Sequence, residues 1–236
     1  MMKSVLTIVS LTLLGLLTAA AATADGLVVD KVYHPYVIAN EQEFEWRLLS
    51  SQLDKGNRLG QRLGYGHSFG ERVAVEIYML GERDSQENFG LQAYEIEARW
   101  MLTEQGQYWA DWGMLFELEK QHQIDNWEAK VGVLAEKEFG KSSLTTNLFV
   151  IREWGQTLES EWESQFRLQY RYRFIAEIQP AIELYMGEDF VGIGPAMMGL
   201  HRFAGQRQIK WELGLITEVG HSGKDQTLRL DLEFEF

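Results

Sequence analysis

Apolar and polar residues alternate with a period of two along most of the chain. The segment 228–236 shows this most clearly, because every even position is apolar and every odd position is charged. Successive side chains of a β-strand point to opposite faces, whereas a helix would scatter the same residues around its circumference. The alternation recurs at 44–48, 94–100 and 166–172. It predicts strands that each have one apolar face and one polar face.

Extended along the chain, the alternation predicts twelve strands. They lie near 43–51, 57–67, 72–82, 90–103, 107–119, 125–137, 143–154, 161–173, 177–187, 192–203, 207–218 and 226–236. Most are longer than a globular strand and match the roughly 9–11 residues of a tilted strand that crosses a membrane. The links between them are expected to alternate between short turns and longer loops, as in bacterial barrels with short periplasmic turns. The predicted fold class is all-β, a single antiparallel transmembrane β-barrel of about twelve strands, with both termini on the periplasmic side.

The first 24 residues have the pattern of a secretory signal peptide. Lys3 precedes an apolar run over 5–17, and the small residues Ala22-Thr23-Ala24 follow. This run is shorter than the roughly 20 residues that a membrane-spanning helix needs. We therefore expect a signal peptide at 1–24, a periplasmic N-terminal segment or short plug at 25–42, and the barrel at 43–236.

The two faces of the strands differ chemically. The apolar face needs either lipid or a second sheet, and the strand length, even strand number, link pattern and signal peptide favour lipid. The polar face is then the lumen, in which acidic residues outnumber basic ones. If these charges pair across strands and close the lumen, Tyr78, Trp109 and Tyr185 are expected to help fill it. The residues predicted to line the lumen are Glu43, Glu45, Arg47, Glu95, Glu97, Arg99, Glu128, Lys130, Arg167, Arg171, Glu183, Glu212, Arg229, Asp231, Glu233 and Glu235.

The last strand resembles the C-terminal signature of Gram-negative outer-membrane β-barrels. It has apolar residues at every even position from 228 and ends on Phe236. In that family the barrel-assembly machinery recognises the final strand, so the resemblance implies an outer-membrane location and makes Phe234 and Phe236 an assembly signal. The segment Tyr33-His34-Pro35-Tyr36 is similar to a motif of small proteobacterial outer-membrane barrels and implies no activity.

The composition narrows the possible functions. A formal net charge of −13 disfavours nucleic-acid binding, and the absence of cysteine excludes thiol chemistry. Gly-His-Ser occurs at 66–68 and 220–222, and His122 lies near Asp125. The first triplet lies at a predicted periplasmic turn and the second in a predicted outer loop, and an adjacent His and Ser on a strand would point to opposite faces, so we expect no catalytic pair from either triplet. We expect no catalytic residue, metal or cofactor, since the histidines lack the spacing of metal ligands.

Two interpretations of the lumen remain open, together with a weaker third one. Twelve strands enclose more space than eight, so water can remain inside and an acidic wall would favour cations. This predicts a narrow passive channel or transporter for small neutral or cationic solutes. Alternatively, ion pairs close the lumen and the barrel has a structural or surface-interaction role. The third interpretation is a surface hydrolase that uses His122 or His221.

Closure of the barrel predicts an acidic cluster at one mouth. The final strand pairs with the first, and this brings together Glu43, Glu45, Glu233 and Glu235. Arg47, Arg229 and His34 are the expected counter-charges. The sequence therefore predicts a pH-sensitive cluster that biases this mouth toward cations.

Overall fold

The computed structural model describes residues 28–53, 56–83, 88–188, 190–205, 207–219 and 225–236. The predicted signal peptide at 1–24 lies outside these ranges, and so do residues 25–27. Among the described residues, no helix is long and apolar enough to cross a membrane.

Twelve antiparallel strands form one closed sheet. Each strand pairs with its neighbours along the chain, and the last strand pairs with the first. This confirms the predicted all-β barrel. The strands are β1 Gln42–Leu53, β2 Gly56–Phe69, β3 Val73–Arg83, β4 Phe89–Met101, β5 Asp111–Gln121, β6 Asn126–Phe139, β7 Ser142–Gly155, β8 Glu161–Tyr172, β9 Gln179–Met186, β10 Val191–Arg202, β11 Gln208–Glu218 and β12 Gln226–Glu235.

The link between β4 and β5 differs from the prediction. β5 begins at Asp111 rather than at 107, so the link covers 102–110. Hydrogen bonds join this link to the start of β5: the Gly106 amide donates to Asp111 Oδ1 at 2.7 Å, and the Trp112 amide donates to Thr103 Oγ1 at 2.8 Å. Trp109 lies in this link and is 72% exposed, so the prediction that it fills the lumen is wrong.

The predicted alternation of short turns and long loops is also wrong. We call the end of the barrel that holds the start of β1 and the end of β12 the terminal end, and the other the opposite end. At the terminal end, the links at 102–110 and 173–178 are long, while at the opposite end β1 and β2 are joined by only 54–55. The polar composition of 52–57 is typical of a loop, but β1 extends to Leu53 and β2 begins at Gly56, so most of this stretch belongs to the two strands.

The outer surface of the barrel is apolar. Phe44, Ile77 and Leu148 are 54%, 56% and 56% exposed, respectively, on strands distributed around the ring. An apolar surface that surrounds a whole barrel is unfavourable in water and matches the hydrocarbon core of a bilayer. Exposed aromatic side chains lie near both ends of the barrel, where amphipathic rings favour the membrane interface. They include Phe44, Trp100, Phe174 and Phe236 at the terminal end and Trp162 at the opposite end.

The buried apolar residues lie inside the barrel, where the N-terminal segment meets the wall. Tyr33 forms one cluster with residues of β5, β6 and β7, namely Leu115, Leu134, Phe149 and Ile151. Val29 and Val32 form another with Tyr185 of β9 and Ile216 of β11. The segment from Val28 to Tyr36, which we call the lumen segment, therefore runs through the interior.

Candidate functional site

All sixteen residues predicted to line the lumen lie on the inner face of the barrel. Arg99, Glu128, Arg171 and Glu212 are half-buried, and the other twelve are buried. Tyr78 and Tyr185 are also buried inside, as expected. Period-two alternation accounts for this placement, because every second residue of a strand faces the same side of the sheet. The inward positions are even-numbered on some strands and odd-numbered on others.

The seam between β1 and β12 brings together the four acids that closure of the barrel was expected to gather. Glu43 lies opposite Glu235, and Glu45 lies opposite Glu233. The four carboxylates are therefore neighbours on the inner face near the terminal end. Phe236 continues the seam, since its amide donates to the Gln42 carbonyl at 2.9 Å.

Two of the three predicted counter-charges of the seam are wrong. Arg229 instead binds Glu212 and Glu183, each at 2.7 Å. Its opposite residue on β11 is Gly214, whose missing side chain leaves room for the guanidinium to extend toward β9, away from the seam. His34 binds Glu136 of β6 at 2.5 Å.

The lumen segment supplies charges that the sequence analysis did not assign to the interior. The Lys31 ammonium lies 2.8 Å from Glu45 Oε2 and also binds Glu233. Asp30 binds Arg47 of β1 at 2.5 Å and Arg167 of β8 at 3.2 Å. These two strands lie almost opposite each other in the ring, so the segment joins walls across the lumen.

Further hydrogen bonds hold the remainder of the lumen segment. The Tyr33 amide donates to Asn147 Oδ1 and the Asn147 amide donates back to the Tyr33 carbonyl, both at 2.8 Å. Tyr36 donates to Asp111 at 2.9 Å, and Tyr185 donates to the Asp30 carbonyl at 2.6 Å. The backbone of the segment therefore uses polar wall residues as partners.

Two cavities lie on either side of the lumen segment. The cavity toward the opposite end has a volume of about 390 Å³, and Asp30 lies in its lining. The cavity toward the terminal end has a volume of about 280 Å³, and Lys31, His34 and Tyr36 line it. The first is richer in acids than in bases: Asp30, Glu82, Glu119, Glu128, Glu153 and Glu163 against Arg58, Arg62, Lys130 and Arg167.

Some inner-face residues could have been found from the sequence. Glu136 follows the same alternation as Glu128 and Lys130 on β6, and Arg62 is the polar neighbour of the apolar Leu63 in the alternating sequence of β2. Asp30 and Lys31 could not be found in this way, because the lumen segment has no strand periodicity.

The candidate hydrolase residues are not brought together in the described part of the chain. His122 is exposed and packs edge-on against Tyr94 at 5.5 Å. The pKa of Asp125 is lowered by hydrogen bonds from Trp127 and Lys120, so this carboxylate is held ionised in solvent. Ser68 is buried while the neighbouring His67 packs against Phe69. His221 lies outside the described residues.

Comparisons with known proteins agree with the fold. No protein-family model matches the chain, and no curated protein matches it. The structure is similar to the KdgM porin in complex with disordered oligogalacturonate, with a TM-score of 0.54, 12% identity and coverage of 82% of this chain and 99% of that chain. It is also similar to the translocator domain of the autotransporter NalP from Neisseria meningitidis, with a TM-score of 0.50, 8% identity and coverage of 85% and 88%.

A third match is the outer-membrane protein Omp33 of Acinetobacter baumannii, with a TM-score of 0.48, 8% identity and coverage of 84% of this chain and 99% of that chain. The chain has the fold of the bacterial outer-membrane β-barrels. The apolar outer surface of the barrel fits a location in the outer membrane.

Proposed function

We propose that this protein is a narrow outer-membrane channel for small neutral or cationic solutes, and that the lumen segment plugs it. The observation that carries the proposal is the position of Val28–Tyr36 between two cavities, held to both sides of the wall. Most of these contacts are ion pairs and hydrogen bonds, which water and ions can replace when the segment leaves.

The charge of the lumen supports cations over anions. Acids outnumber bases in the cavity toward the opposite end. A wall with surplus carboxylates attracts cations and repels anions when the space is narrow. The KdgM porin was solved with oligogalacturonate, which is a polyanion, whereas we propose that the acid-rich lumen of this chain favours cations.

Conductance in planar bilayers tests the channel. The mature chain, which we propose begins at Asp25 after removal of 1–24, is compared with a variant in which 28–36 is replaced by glycine and serine. The replacement keeps the chain length and removes the plug side chains. We expect low conductance for the natural chain and a larger, cation-selective conductance for the variant. An equally low conductance of both proteins would reject the plugged channel.

An equally low conductance of both proteins would favour a structural or surface-interaction barrel. Arg229 is fully buried between Glu183 and Glu212, so ion pairs of the wall already occupy part of the lumen without the segment. If such pairs close the lumen by themselves, removing the segment would change nothing.

We also propose that the protein is not an enzyme. Among the described residues, His122 packs against Tyr94 and lies apart from the His67–Ser68 pair, whose histidine packs against Phe69. Lipase and protease assays on the purified barrel, with His221→Ala as the comparison, test this directly. Activity that disappears in the variant would contradict the proposal.

A further inference from the structure

Three carboxylates of the seam surround the ammonium of Lys31. Its Nζ lies 2.8 Å from Glu45 Oε2 and 3.7 Å from Asp231 Oδ2, and it also binds Glu233 Oε1. All four residues are buried. One cation carried by the lumen segment thus occupies a site that three acids of β1 and β12 build.

The acids are not saturated by this one cation. Both carboxylate oxygens of Asp231 are buried and lack a hydrogen-bond partner in the described structure, and Asp231 is only 1% exposed. Its contacts with Lys31 and Arg47 are as long as 3.7 and 3.8 Å. An acceptor in this position points to a ligand that approaches more closely than the lysine does.

The spacing of the oxygens fits a metal ion. One ligand oxygen each from Glu45, Asp231 and Glu233 lies within 4.8 Å of the other two. Oxygens that share one Ca²⁺ at about 2.3–2.6 Å are at most about 5 Å apart. The ligand set contains only oxygen, which selects hard cations over transition metals.

We propose that Glu45, Asp231 and Glu233 form a divalent-cation site of the Ca²⁺ type, and that Lys31 occupies it while the lumen segment is seated. A cation and the lysine then compete for the same three carboxylates. This site deepens the proposed function, and its effect on gating rests on that function. A cation that replaces Lys31 would remove one attachment of the lumen segment, which is the proposed plug. Water fills the ligand positions that the three carboxylates leave open.

The charges around the site explain why a divalent ion suits it. Arg47 binds Glu45 Oε1, but it is shared with Asp30. Lys210 lies 3.6 Å from the other oxygen of Glu233 and is bound more closely by Glu235. When the Lys31 side chain alone is displaced and Asp30 stays in place, Arg47 and Lys210 remain engaged, so the three acids retain a negative surplus that a divalent ion offsets.

Terbium luminescence tests the site on the folded mature chain in detergent. Tb³⁺ replaces Ca²⁺ and is excited through nearby aromatic rings, and the Tyr78 hydroxyl lies 3.2 Å from Glu45 Oε2. For Lys31→Met we expect Tb³⁺ binding about tenfold or more tighter than for the natural chain, since a competing positive charge is gone. Added Ca²⁺ should displace the Tb³⁺. Equal binding by both proteins would overturn the proposal.

Two further variants locate the signal. Lys120→Met removes a positive charge from the opposite end, where Lys120 pairs with the exposed Asp125. It should bind Tb³⁺ as the natural chain does. Adding Asp231→Asn and Glu233→Gln to Lys31→Met should abolish the gain. If the gain survives these changes, Tb³⁺ binds elsewhere and the proposal fails.

Folding provides a second measurement if Lys31→Met is unstable. The loss of the ammonium leaves three buried carboxylates close together, so the variant can fail to reach the heat-sensitive, faster-migrating folded form. Refolding with CaCl₂ should then restore this form, while the same concentration of KCl should not. Failure in both salts would contradict the site. Binding and refolding are measured without conductance, so their failure is distinct from a failure of the channel.

Discussion

Arg229 shows how single residues balance charge inside the barrel. It is fully buried and bridges Glu183 of β9 and Glu212 of β11, each at 2.7 Å. The ion pair with Glu183 passes closely over Gly214, where a Cβ atom would lie 3.3 Å from Glu183 Oε2 and 3.7 Å from Arg229 Nε. A buried ion pair is worth little compared with an apolar pair, but the loss of one partner leaves the other charge without compensation.

We therefore expect Arg229→Met to lower the free energy of unfolding by about 3–5 kcal/mol, because two buried carboxylates lose their cation. Urea unfolding of the refolded barrel, followed by tryptophan fluorescence, measures the change. Arg72→Met is the matched control, since Arg72 pairs with Glu104 at 3.2 Å on an exposed surface. It should cost less than about 1 kcal/mol. Equal costs at the two sites would contradict the argument.

Glu41 lies just before β1, at the terminal end, and makes the stability of the folded protein depend on pH. Burial, together with the neighbouring Glu235 carboxylate, raises the pKa of Glu41 to about 7. Between its ordinary value of 4.5 and about 7, the folded protein holds a proton that the unfolded chain releases. This group therefore makes stability fall as the pH rises through that interval.

The corresponding variant is Glu41→Gln. We expect the natural chain to lose stability relative to this variant between pH 4.5 and 7, because only the natural chain must ionise a half-buried carboxyl near Glu235. Urea midpoints measured across this interval give the comparison. Parallel curves would show that Glu41 does not titrate in this way.

At the scale of elements, Gly194 of β10 lies close to the backbone of β11. A Cβ atom on Gly194 would lie 1.8 Å from the Leu215 carbonyl oxygen. A glycine at this position therefore lets β10 and β11 lie close together, because any side chain would meet the backbone of β11. Pro195 follows and has no amide hydrogen, so it cannot donate to the ladder.

Gly194→Ala should separate these strands locally. We expect a loss of about 1–3 kcal/mol in the free energy of unfolding, since the added methyl group can only be accommodated by a backbone shift. Gly60→Ala on β2 is the control, because a Cβ there meets nothing within 4 Å. It should stay within about 0.5 kcal/mol of the natural chain. A neutral effect of Gly194→Ala would refute the close contact.

Strand positions were predictable because alternation is a local property of the sequence. The bounds of β12, predicted at 226–236 and observed at Gln226–Glu235, illustrate this. The link at 102–110 was not predictable, because its shape depends on hydrogen bonds of Thr103 and Gly106 to the start of β5. Such bonds leave no periodic pattern in the sequence.

At the scale of the whole molecule, the barrel wall and the lumen segment were predictable to different degrees. Alternation and closure predicted that the acids of the first and last strands meet at the seam, where Glu45 lies opposite Glu233. They did not give Lys31 as the cation between them, because the path of an aperiodic segment is set by contacts with strands far away in the sequence. Its partners lie 14 and 202 residues away. Long-range pairing of this kind is decided by the shape of the closed lumen.

Phe236 connects the fold with the way the barrel reaches the membrane. Its ring is 39% exposed and stacks with Phe44 at 5.7 Å and with Phe234 at 5.6 Å. As a surface residue it contributes little to the closed sheet, whose seam is held by backbone hydrogen bonds. We propose that Phe234 and Phe236 act before folding, as the signal read by the barrel-assembly machinery.

We therefore expect Phe236→Ala to reduce the amount of folded barrel in the outer membrane of cells several-fold, while refolding of the purified chain into lipid vesicles changes little. Heat-sensitive mobility on gels measures folded protein in both settings. Phe139→Ala is the matched control, since Phe139 is also an exposed aromatic, 56% accessible, at the terminal end of the barrel. If both variants lower assembly in cells equally, Phe236 acts as an ordinary interfacial aromatic. If only Phe236→Ala does so, its role lies in recognition of the unfolded chain, because the folded surface loses a similar ring in each case.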